Sequence, residues 1–393
     1  MTVESKVKKI LADVKKQGDR ALIRYTLKFD HIRLTAPRLK IPKQELEKSW
    51  QETPGKIKKA LRQAQRNIVR FHSRQRPHPW KITPAKGVQL HQLFRPLEKV
   101  GVYIPGGSAP LVSSVLMTVI PARIAGVPDI ILTTPPPANR YILAAAWLTG
   151  VNSLFQIGGA QAIGALAYGT RTVPRVNKIA GPGNIFVTTA KKLVFGDVDI
   201  DMPAGPSEIL IIADHTASPA FIALDLLSQA EHDPLSRATL LSTAPVGKVR
   251  AELKKQLRCL ARKNIISQSR IKLIKVPSIS RAVALSNQIA PEHLELMVRN
   301  PEKWVPQIKN AGIILLGSYT PVAVSDFLAG TNHVLPTGGT ARSFSALTVW
   351  DFLKPVSTVK YTKKAIQAIK PTITTFAEIE DLDAHARSVQ ARK

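Results

Sequence analysis

Val100-Gly-Val-Tyr-Ile104 leads through Pro105-Gly-Gly-Ser108 into residues 110–125, which are mostly apolar. The short run rich in Val, Tyr and Ile predicts a buried strand, and the longer segment after it predicts a helix. Glycines between a strand and a helix let the backbone approach a phosphate, and the helix N-terminus adds partial positive charge. Because ordinary strand-to-helix turns are equally rich in glycine, the stretch predicts an α/β unit but leaves its ligand open.

The same alternation of short apolar runs and helical segments continues along the chain. Short apolar runs separated by helices favour parallel sheets with helices on both faces. Further strands are predicted at residues 129–133, 153–157, 208–212, 238–242 and 312–316, and helices at residues 139–148 and 160–168.

This order of elements predicts an α/β fold made of two related Rossmann-like units, in which parallel sheets are flanked by helices. The first unit is expected to be discontinuous, with residues 1–101 and 209–354. The second, residues 102–208, is inserted between its halves. A polar, helical C-terminal tail is expected over residues 355–393.

Composition indicates a globular, cytoplasmic protein. With 393 residues, of which 44% are hydrophobic, the chain can bury one or two large cores. No apolar run approaches the ~18–20 residues that span a bilayer. The first ten residues predict an amphipathic charged helix and not a signal peptide. A single cysteine excludes an intrachain disulfide.

The charge is unusual for a metabolic enzyme, with a formal net charge of +29 and a pI near 10.4. Leu61, Ile68 and Phe71 are expected to face the core, away from a ridge of arginines. No aromatic interleaving or nucleic-acid motif accompanies the ridge, so a solvated face is favoured over a polyanion-binding stripe. The ridge has an arginine at every fourth position: Arg62, Arg66, Arg70 and Arg74.

A metal site is suggested by Gln229-Ala-Glu-His232, within an apolar helical stretch that stops at Pro234. Residues three apart lie on one face of a helix. A carbonyl oxygen and an imidazole aimed together suit a divalent metal such as zinc, although such a pair is more often a solvated face. Three later segments strengthen the interpretation because each places a carboxylate near an imidazole: Glu292 with His293, Asp326 with His333, and Glu380 with His385.

Two other features bear on the chemistry. The dinucleotide fingerprint Gly-x-Gly-x-x-Gly is absent, yet Gly181-Pro-Gly-Asn184 also lies between a predicted strand and a helix. Cys259 lies in a basic helical stretch that matches no catalytic motif, and we expect it to be a semi-buried apolar residue. An aldehyde oxidised by this chain would therefore react with water instead of a thiolate.

Taken in order, the motifs resemble those of histidinol dehydrogenases over nearly the whole chain. The resemblance implies oxidation of L-histidinol to L-histidine through L-histidinal with two NAD, one zinc ion per site, and a homodimer that shares its sites between subunits. It also implies that residues 102–208 bind NAD and that residues 355–393 form a dimerisation tail. Besides the four segments above, the motifs are Ile10-Leu-Ala-Asp-Val14, Gly18-Asp-Arg-Ala-Leu22, Val102-Tyr-Ile-Pro-Gly-Gly107, Gly158-Gly-Ala-Gln-Ala162, Gly181-Pro-Gly-Asn184 and Asp201-Met-Pro-Ala-Gly-Pro-Ser-Glu208.

The resemblance also assigns roles to individual residues. His293 would be the general base and Glu292 would activate water. Position 325 is Ser where relatives have Gly, and the residue remains small. The zinc ligands would be Gln229, His232, Asp326 and His385; the NAD contacts Tyr103, Gln161 and Asn184; and the substrate contacts Ser207, His333 and Glu380 together with the zinc ligands and His293.

Two alternatives stay open at this point. One is a member of the family that oxidises another polar primary alcohol, such as a sulfonated diol. The other is a non-enzymatic basic protein that binds polyanions, against which the intact motifs argue.

Overall fold

The computed structural model describes residues 2–106, 110–266 and 270–392. The chain forms two compact units, of which the larger comprises Met1–Gln75 with Leu97–Phe352 and the smaller Arg76–Pro96 with Leu353–Lys393. Gly107 and Ser108 of the predicted phosphate-binding turn lie outside the described residues.

The strands are, in chain order, β1 (Lys40–Ile41), β2 (Trp80–Ile82), β3 (Val88–Pro96), β4 (Lys99–Tyr103), β5 (Asp129–Thr134), β6 (Ser153–Gln156), β7 (Lys178–Ala180), β8 (Asp199–Ile200), β9 (Glu208–Ala213), β10 (Arg237–Ser242), β11 (Ile271–Lys275), β12 (His293–Met297), β13 (Ile313–Leu316) and β14 (Leu353–Tyr361). The helices are α1 (Val3–Gln17), α2 (Asp19–Asp30), α3 (Ala36–Leu39), α4 (Lys43–Gln51), α5 (Gly55–His72), α6 (Val112–Ala125), α7 (Arg140–Thr149), α8 (Gly159–Tyr168), α9 (Ile185–Val194), α10 (Pro219–Ala230), α11 (Gly247–Cys259), α12 (Ile279–Ile289), α13 (Val322–Phe327), α14 (Lys363–Ile379) and α15 (Asp383–Gln390).

The larger unit contains two sheets with the same strand order. Over the described residues the first sheet has the order β1-β6-β5-β4-β7-β8 and the second β11-β10-β9-β12-β13. All neighbours are parallel except β1, which pairs antiparallel with β6 at an edge. If the parallel strands of each sheet are numbered along the chain, both sheets read third, second, first, fourth, fifth. The order of strand addition across each sheet reverses between the first and fourth strands, and open α/β sheets bind ligands at such a point, outside the carboxyl ends of the strands.

The predicted fold of parallel sheets flanked by helices is confirmed. Strands buried on both faces are continuous apolar runs, and Ile130, Ile131 and Leu132 of β5 are fully buried. The helix predicted at residues 110–125 is α6, which is buried on nearly all sides and therefore lacks a polar stripe. The separation of residues 102–208 as an inserted domain stays a prediction.

The smaller unit begins its C-terminal part with a strand, whereas a helical tail is predicted from residue 355. In this unit β14 pairs antiparallel with β3 along its whole length, from Leu353 opposite Pro96 to Tyr361 opposite Val88. The side chains of β14 are almost all exposed, so the strand lacks the apolar run by which the others are recognised. The helical part of the prediction corresponds to α14 and α15.

Helix α5 carries Arg62, Arg66 and Arg70 of the predicted basic ridge, Arg74 lies in the 3-10 turn that follows, and all four are exposed. Ile68 is buried and Leu61 half-buried as predicted, but Phe71 is 43% exposed, so that prediction is wrong. The buried face passes from Ile68 to His72, one turn further along, which leaves Phe71 at its edge.

Two further predictions concern exposure to solvent. The predicted amphipathic N-terminal helix is α1, which buries Val7, Ile10, Leu11 and Val14. Cys259 is exposed at the end of α11, so the expected semi-buried position is wrong. No described helix is both long enough and apolar enough to cross a bilayer.

Candidate active site

A cavity of about 1460 Å³ in the larger unit brings many of the predicted site residues together. It opens beyond the carboxyl ends of β4 and β7 in the first sheet and extends to the segment that precedes β9 in the second. The predicted residues that line it are Tyr103, Gln161, Asn184, Ser207, His232 and Asp326.

Tyr103 is the last residue of β4, at the reversal point of the first sheet. Its hydroxyl accepts a hydrogen bond from the Gly159 backbone N–H at 3.2 Å. Burial raises the pKa of Tyr103 to about 12, so the phenol stays protonated at neutral pH and can donate to a ligand. Gln161, in the first turn of α8, is 1% exposed, and its Oε1 is buried without a hydrogen-bond partner among the described residues. A buried amide oxygen of this kind is suited to accept a hydrogen bond from a ligand.

Asn184 caps the helix that follows β7. Its Oδ1 accepts hydrogen bonds from the backbone N–H groups of Phe186 at 3.0 Å and Val187 at 3.2 Å. This is the usual bonding of an N-cap asparagine, and it leaves the Nδ2 group available to donate to a molecule in the cavity.

Glu292 and His293 lie where β12 begins, in register with β9. Glu292 Oε2 accepts a hydrogen bond from the Glu208 backbone N–H at 2.8 Å, and His293 Nδ1 lies 3.3 Å from the Glu208 carbonyl oxygen. The two side chains approach each other at 3.7 Å, from His293 Nδ1 to Glu292 Oε2. The backbone of one neighbouring residue therefore fixes both groups.

The electrostatics of this pair suit proton transfer near neutral pH. Burial raises the pKa of Glu292 to about 7, against the opposing effect of the His293 charge. Burial also disfavours the charged form of His293, but the carboxylates of Glu292 and Asp326 outweigh it and raise the pKa of His293. A general base works best when its pKa is near the working pH.

Three of the four predicted metal ligands lie in the larger unit. Gln229, in the last turn of α10, is 1% exposed, and within the described chain its buried Oε1 has no hydrogen-bond partner. The helix ends at Ala230, so His232 lies in the turn that follows, where its N–H donates to the Gln229 carbonyl at 3.3 Å, and it is exposed. Asp326 Oδ1 on α13 is 3.6 Å from His293 Nε2.

Together these residues offer an amide oxygen, an imidazole and a carboxylate, which zinc accepts as ligands. Across residues 2–106, 110–266 and 270–392, no group of three or more His, Cys, Asp or Glu side chains is arranged to hold a metal ion. The observation that fits a bound metal ion is the buried Gln229 Oε1, which has no hydrogen-bond partner among the described residues.

His333 is held by both of its ring nitrogens. Nδ1 lies 2.8 Å from the Asp326 carbonyl oxygen, and Nε2 lies 3.0 Å from the Ser114 hydroxyl. A ligand that forms a hydrogen bond with His333 Nε2 must therefore displace the Ser114 hydroxyl from it.

Glu380 and His385 belong to the smaller unit, and both are exposed. Glu380 follows the end of α14, and His385 lies on α15. The described residues that line the cavity belong to the larger unit, and neither Glu380 nor His385 is among them.

With this geometry, comparison with known proteins decides the family. A sequence model described as histidinol dehydrogenase matches residues 1–393. The chain belongs to the histidinol dehydrogenase family. A histidinol dehydrogenase of Listeria monocytogenes is 49% identical over 100% of this chain and 93% of its own length. One from Syntrophotalea carbinolica is also 49% identical, over 99% of this chain and 92% of its own length.

The fold agrees with this assignment. The crystal structure of histidinol dehydrogenase from Elizabethkingia anophelis superposes with a TM-score of 0.95 at 42% identity, covering 100% of this chain and 92% of that one. The predicted membership of the histidinol dehydrogenase family is confirmed, and the chain is an oxidoreductase.

Two residues that contact the candidate site residues, Glu208 and Ser114, are not identified by sequence reasoning. Glu208 is the last residue of the motif at residues 201–208, but its backbone contacts Glu292 and His293, which lie more than eighty residues further along the chain. Ser114 carries no sequence signal, because it is one of several hydroxyl residues on a buried helix.

A carboxyl pair, Asp225 and Glu295, lies on the two elements that carry Gln229 and His293. Glu295, two residues after His293 on β12, is completely buried, and Asp225 lies one turn before Gln229 on α10. Burial raises the pKa of both carboxyls, and the charge of Asp225 raises the pKa of Glu295 further. The folded protein therefore retains a proton on Glu295 at pH values where the unfolded chain has released it.

This retained proton predicts a loss of stability as pH rises. Above the ordinary glutamate value of 4.5 the unfolded state binds fewer protons than the folded state, so the free energy of unfolding falls until the folded pKa is passed. A glutamine at this position cannot ionise, so Glu295→Gln should raise the melting temperature more at pH 9 than at pH 5. We expect a difference of about 3 °C or more, measured by scanning calorimetry.

Glu302→Gln, at an exposed glutamate, is the control and should show no such dependence. An equal change in the melting temperature of Glu295→Gln at both pH values would contradict the assignment of a buried, protonated carboxyl.

Proposed function

We propose that this chain oxidises L-histidinol to L-histidine through L-histidinal, reducing two NAD, as the last steps of histidine biosynthesis. The proposal rests mainly on the buried Glu292–His293 pair beside Asp326, next to a cavity that also carries Tyr103 and Asn184. When bound, each NAD accepts one hydride; the proton transfers are left to the protein.

In the first oxidation the substrate hydroxyl must lose its proton. His293 is held at Nδ1 by the Glu208 carbonyl, which directs Nε2 toward Asp326. Nε2 accepts the hydroxyl proton as the alcohol carbon is oxidised to the aldehyde, and Asp326 stabilises the imidazolium that forms.

In the second oxidation a water molecule adds to the aldehyde carbon. Glu292 accepts a proton from this water, since its pKa of about 7 leaves a substantial basic fraction at neutral pH. His293, protonated in the first oxidation, gives that proton to the aldehyde oxygen as water adds. Neutral again, it accepts the hydroxyl proton of the hydrate as a hydride leaves and the carbon is oxidised to the acid. The lone Cys259 is exposed on α11 and plays no part in this scheme.

Zinc would be held by Gln229, His232 and Asp326, with His385 of the partner subunit as the fourth ligand. The ion would supply a template that orients the imidazole and amine of the substrate. Ser207, His333 and Glu380 are proposed to contact the substrate, and the carboxylate of Glu380 suits its ammonium group. Tyr103, Gln161 and Asn184 are proposed to bind NAD.

The test of this function is the number of NADH molecules formed for each L-histidinol consumed. Two are expected, with no free aldehyde, because both oxidations use one set of groups. A chelator should abolish the reaction, and added zinc should restore it. One NADH with accumulating aldehyde contradicts the paired oxidation, and no NADH contradicts the function itself.

Loss of a zinc ligand should lower the metal content of the purified protein. Asp326→Asn and His385→Asn each remove or weaken one of four ligands, so each should reduce bound zinc well below one per chain. Plasma mass spectrometry of the dialysed protein measures this. The matched control is His78→Asn, at another exposed histidine of the smaller unit, which should retain full zinc. Full zinc in His385→Asn would show that this residue is not a ligand.

The chain is proposed to act as a homodimer in which the smaller unit of one protomer completes the site of the other. Large apolar side chains of α14 support a partner there, since Phe376 is 62% and Ile379 74% exposed. The dimer then has two equivalent composite sites related by a two-fold axis.

Mixing two inactive chains tests the shared site. In a heterodimer of His232→Ala and His385→Ala chains, one site carries both defects and the other carries neither. With random pairing after co-refolding, roughly a quarter of wild-type activity should return. Native mass spectrometry confirms that heterodimers form. If they form and no activity returns, each chain builds its site alone.

A further inference from the structure

A buried ion pair, Lys191 with Asp201, lies behind two of the loops that line the cavity. Lys191 is on α9 and Asp201 directly follows β8; their side chains are 3% and 1% exposed, and Lys191 Nζ contacts Asp201 Oδ1. Removing two charges from water costs free energy that their attraction often only offsets. The pair therefore needs an explanation other than stability.

The first loop held by this pair is Gly181-Pro-Gly-Asn184, which ends at the residue proposed to bind NAD. The Gly181 N–H donates to Asp201 Oδ2 at 2.8 Å, and the Gly181 carbonyl accepts from Lys191 Nζ at 3.0 Å. On its other side Gly181 packs against Tyr103: with φ of 116°, any Cβ here would collide with the Tyr103 carbonyl oxygen. Both backbone groups of Gly181 are thus fixed by the ion pair, against the strand that carries Tyr103.

The second loop begins at the same carboxylate. Asp201 Oδ1 accepts a hydrogen bond from the Met202 N–H at 2.7 Å, where residues 202–207 depart from the first sheet. This loop ends at Ser207, directly before Glu208, whose backbone contacts the Glu292–His293 pair. Residues of both loops line the cavity, among them Gly183, Asn184, Gly205 and Ser207.

We propose that the Lys191–Asp201 pair is a positioning device that holds loops 181–184 and 202–207 in one fixed relation, so that binding of the dinucleotide and of the alcohol depends on the same carboxylate. This inference rests on the proposed function, because it takes the first loop to contact NAD and the second to contact substrate. The rival explanation is that the pair only avoids an unpaired buried charge.

The first variant is Asp201→Asn, whose amide cannot accept hydrogen bonds at both former oxygen positions. We expect the KM for NAD and the KM for L-histidinol each to rise about tenfold, as for loss of one hydrogen bond to a charged group, with a smaller change in kcat. Titration calorimetry with NAD alone should show the same tenfold weaker Kd. The matched control is Asp199→Asn, two residues earlier, which breaks the 3.0 Å pair with Lys178 but touches neither loop and should leave both KM values unchanged.

The double variant Lys191→Met/Asp201→Asn separates positioning from simple charge pairing. It removes both buried charges, so its melting temperature should recover relative to either single variant. The methionine cannot donate to the Gly181 carbonyl, and the asparagine oxygen can accept from only one of the Gly181 and Met202 N–H groups, so the Kd for NAD should remain about tenfold weaker than that of the wild type. Recovery of both the melting temperature and the NAD affinity overturns the inference, and the double variant decides the question even where a single variant does not fold.

Failure of this inference and failure of the proposed function give different results. A wild-type enzyme that forms no NADH from L-histidinol contradicts the function. Normal wild-type turnover, with unchanged KM and Kd values in folded Asp201→Asn, contradicts only the positioning role.

Discussion

Replacing His293 with asparagine is expected to lower the rates of both oxidations by about 10²–10⁴-fold, the usual cost of removing a general base. The imidazole is buried between the Glu208 carbonyl and Asp326, and each oxidation requires a proton to leave an oxygen on the substrate. The asparagine amide can still donate to the Glu208 carbonyl, but it cannot accept and release a proton. Stopped-flow measurement of NADH, starting from L-histidinol and separately from L-histidinal, reports the two steps.

The matched control for this prediction is His72→Asn. His72 is also fully buried and bonded through one ring nitrogen, to Gln75 Oε1 at 2.7 Å. Its replacement tests whether loss of any buried imidazole slows the enzyme through folding alone. Full activity of His293→Asn in either half-reaction would remove His293 from the role of shared base.

Glu292→Gln should separate the two oxidations. Only oxidation of the aldehyde requires an activated water, so we expect that step to fall by about 10²–10⁴-fold while alcohol oxidation falls far less. The glutamine carbonyl can still accept the Glu208 N–H bond that Glu292 makes, which keeps the side chain in place. L-Histidinol should then yield close to one NADH in the early phase, and L-histidinal should accumulate.

Glu295→Gln is the control for this variant, because Glu295 is a buried carboxyl only three residues after Glu292, on β12. It should leave the ratio of the two half-reactions unchanged. Equal loss of both half-reactions in Glu292→Gln would show that Glu292 supports the site in general and is not the group that activates water.

The sequence predicts the central strands of the two parallel sheets well, for a physical reason. Strands β4, β5 and β9 are buried on both faces, so each is a short apolar run, and each lies within one residue of its predicted bounds. The sequence does not predict β7, β8, β11 and β12; of these, β8 and β11 are partly exposed strands at the edges of their sheets. Strand β14 escapes this rule because it is exposed along most of its length and depends on pairing with β3, more than 250 residues earlier. Pairing between distant segments leaves no local pattern.

The candidate site shows the same limit. Glu292, His293 and Asp326 are recognisable because they combine reactive side chains in dense motifs. The contacts that hold these side chains are not recognisable from the sequence. They are made by the backbone N–H and carbonyl of Glu208, and nearly every residue carries the same two groups. The partners of Gly181 also leave no local sequence pattern, because Lys191 and Asp201 lie 10 and 20 residues further along the chain.

The volume of the cavity has a consequence for the order of events during turnover. At about 1460 Å³ it exceeds the ≈ 300–1,000 Å³ typical of a pocket for a single small molecule. On the proposed function, the dinucleotide lies toward Tyr103 and Asn184, while the alcohol lies toward His232 and Asp326. NADH can then dissociate and a second NAD can bind at one end of the cavity while the aldehyde stays bound at the other. The aldehyde can therefore stay bound while the nucleotide exchanges. On this proposal it is not released to solvent between the oxidation of the alcohol and its own oxidation to the acid.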